Sequence, residues 1–162
     1  MSFLIRPARV ADLPTIIGLV RALAEFEKLE GPDAEAETRF FADFEANRFG
    51  LLVAERGGEI VGYALYFMTY STFLARPSLF LEDLFVRPDS RRLGIATAFL
   101  QELARRAVEA GCGRFEWAVL DWNQSAQQFY FGLGAELLAD WRVCRLTGEK
   151  LLALAKTAGR AE

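Results

Sequence analysis

The chain has 162 residues, 52% of them hydrophobic and 25% charged, which suits one globular domain with a sizeable apolar core. A formal net charge of −3 argues against a broad nucleic-acid-binding surface and favours small cationic partners. Histidine is absent, which excludes Ser-His-Asp and Cys-His catalysis in their usual form, and Cys112 and Cys144 give neither a disulfide framework nor a zinc set.

The opening Met-Ser-Phe-Leu-Ile-Arg-Pro has no charged leader followed by a long apolar core, and no apolar run reaches membrane-spanning length. The expectation is a soluble cytoplasmic protein without metal or membrane partner.

Residues 3–7 read as a strand stopped near Pro7, and Asp12 and Pro14 introduce a helix carrying Ile16, Ile17, Leu19, Val20, Leu23 and Phe26 at helical spacing. That helix ends in acids, Glu25, Glu27 and Glu30, which oppose its dipole by roughly 0.3–1 kcal/mol each and hint at a cation nearby. Residues 34–46 predict a second amphipathic helix with Phe40, Phe41 and Phe44, read as a flap over the sheet edge. Residues 50–55 and 60–68 predict an antiparallel hairpin, with Gly62 marking a bulge or a close backbone approach. Residues 69–77 read as a loop walling the substrate site, and 79–86 as a strand interrupted only by Glu82 and Asp83. A long helix over 95–110, a strand over 114–120, a helix over 126–131, a strand over 141–146 and a short helix after Gly148 complete the chain. The fold class expected is α/β: a single domain over 1–162, with a mixed, mostly antiparallel twisted sheet and flanking helices. Its sheet should splay where strands 79–86 and 114–120 part.

Between the acidic strand and the long helix lies a turn containing Arg87, Arg91, Arg92, Leu93, Gly94, Ile95, Ala96 and Thr97. Peptide N–H groups at a helix start carry the positive end of its dipole and suit a pyrophosphate, and Gly94 and Ala96 leave the backbone accessible. The spacing fits neither the three-glycine dinucleotide fingerprint nor the P-loop. Arg91-x-x-Gly94-x-Ala96 instead resembles the acetyl-CoA segment of the GCN5-related N-acetyltransferase (GNAT) superfamily, and implies its acyltransferase fold. A second stretch holds Asn123, Ala126 and Tyr130, the last at the place where that superfamily often has its proton donor. A phenol of intrinsic pKa about 10 can protonate a departing thiolate.

With Leu81-Glu82-Asp83-Leu84-Phe85-Val86, Tyr66 to Tyr70 and Asp121-Trp122-Asn123, the resemblance is closest to the diamine (spermidine/spermine) and thialysine N-acetyltransferase group. It implies a homodimer in which Glu82 is the base, Tyr130 the proton donor, and Glu27, Tyr70, Asp83 and Asp140 further substrate contacts. It also implies acetyl-CoA bound along Leu84, Phe85 and Val86, the turn from Arg91 to Thr97, and Asn123, Ala126 and Tyr130. Neighbouring Glu82 and Asp83 should point to opposite faces of a strand unless a bulge intervenes.

Three departures stand out: Ser71-Thr72-Phe73 replaces the group's Asp-Pro-Trp, Arg92 replaces a glycine, and the acidic pair before Trp141 is reduced to Asp140. Fewer carboxylates disfavour spermine and favour a shorter diamine or a thialysine- or lysine-like amine. The reaction expected is direct acetyl transfer to such an amine. The alternatives are a protein lysine or N-terminal acetyltransferase, and a non-catalytic acetyl-CoA-binding module.

Overall fold

The computed structural model describes residues 2–157, and two compact units divide the chain, Met1–Ala118 and Val119–Glu162. The first unit holds β1 (Phe3–Pro7), α1 (Leu13–Glu27), α2 (Ala34–Glu45), β2 (Gly50–Arg56), β3 (Glu59–Ser71), β4 (Arg76–Val86), α3 (Ile95–Glu109) and β5 (Arg114–Trp117). The second holds α4 (Gln124–Gly132) and α5 (Gly148–Lys156).

The five strands lie in sequence order, antiparallel from β1 to β4, while β5 pairs parallel to β4 after the α3 crossover. Because successive strand residues face opposite ways, Leu51, Val53 and Tyr63 turn to one side, where they pack with Leu13, Ile16, Leu19 and Phe85. Phe40, Phe41 and Phe44 of α2, none of them fully buried, pack with Phe49 against this cluster, so the helix expected as a flap lies on the core through its aromatic face. Ile95, Phe99, Leu100, Leu103 and Ala107 give α3 its own buried stripe.

Gly62 answers to close approach: a Cβ there would lie 2.7 Å from the Phe85 carbonyl oxygen and 3.3 Å from the Phe99 ring. The irregularity in its pairing falls next to it, where Ala54 pairs Gly62 but Glu55 pairs Ile60. Asp12 does not cap α1 with its side chain. Its carboxylate accepts from the Arg9 N–H (2.7 Å) and from both terminal nitrogens of Arg6 (2.7 and 3.1 Å), and the Arg6 bonds hold it below the usual carboxylate range.

Three elements end differently from their sequence pattern. The expected 69–77 loop is mostly strand, since Tyr70 pairs Pro77 and Ser71 pairs Arg76, leaving only residues 72–75 to turn. The expected strand over 141–146 has no regular structure. Every residue there is exposed, so its alternation has no face to bury, and β5 likewise stops at Trp117 rather than 120.

Candidate active site

The two acids of β4 sit at a break in the β3–β4 ladder. Leu65 pairs with Asp83 and Tyr66 with Leu81, so Glu82 is the extra residue of a β-bulge and both acids oppose Leu65. The bulge suspends the strict alternation that would send neighbours to opposite faces. Asp83 is half-buried, and burial together with the charges of Glu82 and Glu27 pushes its carboxyl up to about 6. The Tyr63 hydroxyl, fully buried in the core, donates to Asp83 Oδ2 at 3.2 Å and opposes that rise.

Glu27 arrives from α1. The helix ends with Lys28 at φ 60 and with the Leu29 N–H returning to the Ala24 carbonyl at 2.8 Å, which fixes the last turn. Burial raises the Glu27 carboxyl as well. Asp83 thus feels two further carboxylates, the exposed Glu82 and Glu27, a concentration of negative charge that an ammonium group would relieve.

Beyond Leu81 the other edge of β4 is open. The parallel pairing to β5 covers only Ser78 to Leu81, opposite Arg114 to Trp117, so Leu84, Phe85 and Val86 pair with β3 alone. A strand edge in this state presents backbone N–H and C=O groups to an extended ligand. This is the splay expected between the two strands.

The turn that follows is built for an anion. Gly94 caps α3 at φ 82 without any side-chain cap. The N–H groups of Ile95, Ala96 and Thr97 precede the first intrahelical bond, from the Ala98 N–H to the Gly94 carbonyl (2.9 Å). Of the three arginines assigned to this mouth, Arg87 is corrected: it pairs with Asp89 and Glu59 and is neutralised. Arg91 donates from Nε to the Val86 carbonyl (3.0 Å) and lies over the Phe26 and Phe85 rings (5.7 and 5.8 Å), tying the turn to β4, with no ion pair among the described residues. Arg92, exposed beside Leu93, has no ion pair among the described residues and adopts φ 60, a conformation that favours the glycine found there in the resembling group.

In the second unit, the Asn123 Oδ1 caps α4 by accepting from the Ala126 N–H (3.2 Å). Tyr130 stacks with Phe129 (ring centroids 5.3 Å apart), and burial raises its phenol above the ordinary 10, so it holds its proton at neutral pH. Asp140 lies in an exposed turn.

Glu27, Glu82 and Asp83 are thus brought together, as are Leu84 to Val86 with the Arg91 to Thr97 turn. Tyr70 is not. It is exposed at the far end of the hairpin, five residues along β3 from Leu65, roughly 17 Å at the rise of an extended strand. Tyr63 was missed by sequence reasoning, because only the β3–β4 register brings it to Asp83.

The site thus combines a bulged acidic strand, an open strand edge and an Arg/Gly helix start without a side-chain cap. Residues 17–134 match the Acetyltransferase (GNAT) family, and the chain belongs to it. It is 39% identical to the thialysine N-epsilon-acetyltransferase of Sus scrofa, over 95% of this chain and 98% of that one. It is 43% identical to the L-ornithine N5-acetyltransferase of Arabidopsis thaliana over 60% of this chain and 42% of the relative. Among solved structures, an aminoglycoside N-acetyltransferase in complex with CoA shares the fold at a TM-score of 0.75 and 22% identity, covering 91% of this chain and 95% of that one. The protein is an N-acetyltransferase.

Proposed function

We propose that residues 1–162 work as one domain that transfers acetyl directly from acetyl-CoA to the primary amine of a small molecule. The substrate class is a thialysine-, lysine- or ornithine-like amino acid or a short diamine. The observation that carries this reading is the β4 bulge, which sets Glu82 and Asp83 opposite one residue and in the field of Glu27.

The fit to the co-substrate rests on the open β4 edge and the uncapped start of α3. Leu84, Phe85 and Val86 would line its extended arm, and the N–H groups from Leu93 to Thr97 with Arg91 and Arg92 would take its phosphates. Asn123 and Ala126 would border the same arm. When bound, acetyl-CoA supplies an acetyl group activated as a thioester.

Glu27 and Asp83 hold the amine as a cation. Glu82, exposed on the bulge, accepts the ammonium proton directly or through water, which frees the nitrogen lone pair for attack. A β4 N–H among Leu84 to Val86 polarises the acetyl carbonyl, and Tyr130 gives its proton to the departing sulfur. The net change is one N–C bond made and one S–C bond broken; the ammonium loses one proton through Glu82 to solvent and a second as the amide forms, which balances the proton that Tyr130 delivers to sulfur.

A homodimer in the cytoplasm belongs to the same proposal. It is supported by free Cys112 and Cys144 and by exposed Leu137, Leu138, Trp141 and Val143. Among the described residues no helix is long and apolar enough to cross a membrane.

Replacing Glu82 with Gln tests the base. Turnover of the preferred amine should fall about 100-fold or more, within the usual worth of general-base catalysis, with acetyl-CoA affinity kept. An unaltered rate and pH profile would remove Glu82 from the role.

A further inference from the structure

We propose that Tyr63 is a positioning residue: its phenol holds one oxygen of Asp83 from the core side, so that the other faces the amine and Asp83 anchors the substrate ammonium. The inference rests on the reading of the acidic site given above and divides its labour, with Asp83 as the fixed anchor and Glu82 as the proton acceptor.

Tyr63 is fully buried, and among the described residues its hydroxyl has one hydrogen-bond partner, Asp83 Oδ2 at 3.2 Å. The ring packs with Leu13, Ile16, Leu19, Val53 and Phe85, a setting that phenylalanine would fill equally well. The hydroxyl is therefore surplus to the core and acts only on Asp83. Burial and the adjacent carboxylate push the phenol far above its ordinary value, so it remains a donor at any working pH.

Asp83 Oδ1 has no protein donor among the described residues and is not sealed from solvent. The charged groups that act on Asp83 are Glu82 on its own strand and Glu27 at the end of α1, both acids. Arg91, on the turn that follows β4, is engaged with the Val86 carbonyl and the Phe26 and Phe85 rings. Among the described residues no basic side chain is paired with Asp83, and an alkylammonium with its three donors matches the open oxygen.

The test is Tyr63→Phe, which removes one oxygen and keeps the ring. In the variant the acid limb of kcat/KM for thialysine should move up by about one pH unit, since a lost hydrogen bond no longer favours the carboxylate. The amine KM should rise about tenfold while kcat and the KM for acetyl-CoA change less than threefold. An unmoved limb with an unmoved amine KM overturns the proposal.

A second readout does not need activity. In protein carrying carboxyl-13C aspartate, the Asp83 resonance is identified by its loss in Asp83→Asn. Global 3-fluorotyrosine, a stronger donor, should lower its titration midpoint, and saturating thialysine should lower it further. A midpoint indifferent to the fluorotyrosine overturns the Tyr63 role, and one indifferent to thialysine overturns the anchor. If no amine is acetylated by the unmodified protein, the functional reading fails by that result alone, while the titration still decides the Tyr63 link.

Discussion

Asp83→Asn should make the protein more stable and a worse enzyme. Asp83 titrates near 6 in the folded chain instead of its ordinary 3.8, chiefly because burial disfavours its charge. Between those two values the folded chain keeps a proton that the unfolded chain has released, so native stability falls as pH rises through the window. At about 1.4 kcal/mol per pH unit, the carboxylate destabilises the fold by about 3 kcal/mol above pH 7. Asparagine keeps an acceptor for Tyr63 and removes the charge. Urea unfolding should therefore place the variant up to about 3 kcal/mol above the parent at pH 8, or about 6–12 °C in Tm for a chain of this length. At pH 3.5 the two should coincide. The amine KM should rise at the same time, with acetyl-CoA binding unaffected. A variant less stable than the parent at pH 8, or a stability gap that ignores pH, refutes the reasoning.

Tyr130→Phe should lower kcat about 100-fold with acetyl-CoA affinity within threefold, read by stopped assays and calorimetry, and most of the loss should return with an acyl donor whose thiol leaves without protonation. Arg92→Gly should relieve the φ 60 strain and raise stability by up to about 1 kcal/mol. The same change should weaken acetyl-CoA binding several-fold at low salt and much less at 0.5 M, as expected for the loss of an exposed cation. Binding that is insensitive to both the substitution and the salt would take Arg92 away from the phosphates.

Most of the frame was legible because its signals are local. Helical spacing located α1 and α3, glycines marked the β2–β3 turn, and the need for closeness at Gly62 was written in the missing side chain. What was not legible depends on partners far along the chain. The bulge that unites Glu82 with Asp83 exists only against Leu65, and Tyr63 reaches Asp83 only through that register. Arg87 counted as a free cation until Glu59, 28 residues away, paired with it. The short alternation at 141–146 looked like a strand, but alternation specifies a strand only when one face is buried, and none there is. Tyr70 was assigned by resemblance, and strand geometry carries it away from the acids it was expected to serve.

The central claim is acetylation of a small primary amine at the Glu27, Glu82 and Asp83 site. It is tested most directly by thiol release from acetyl-CoA against thialysine, lysine, ornithine, short diamines, spermidine and a lysine peptide. The account predicts strong turnover with one of the short amines, weak turnover with spermidine and none with the peptide. Preference for the peptide, or bound acetyl-CoA with no amine consumed, would contradict it.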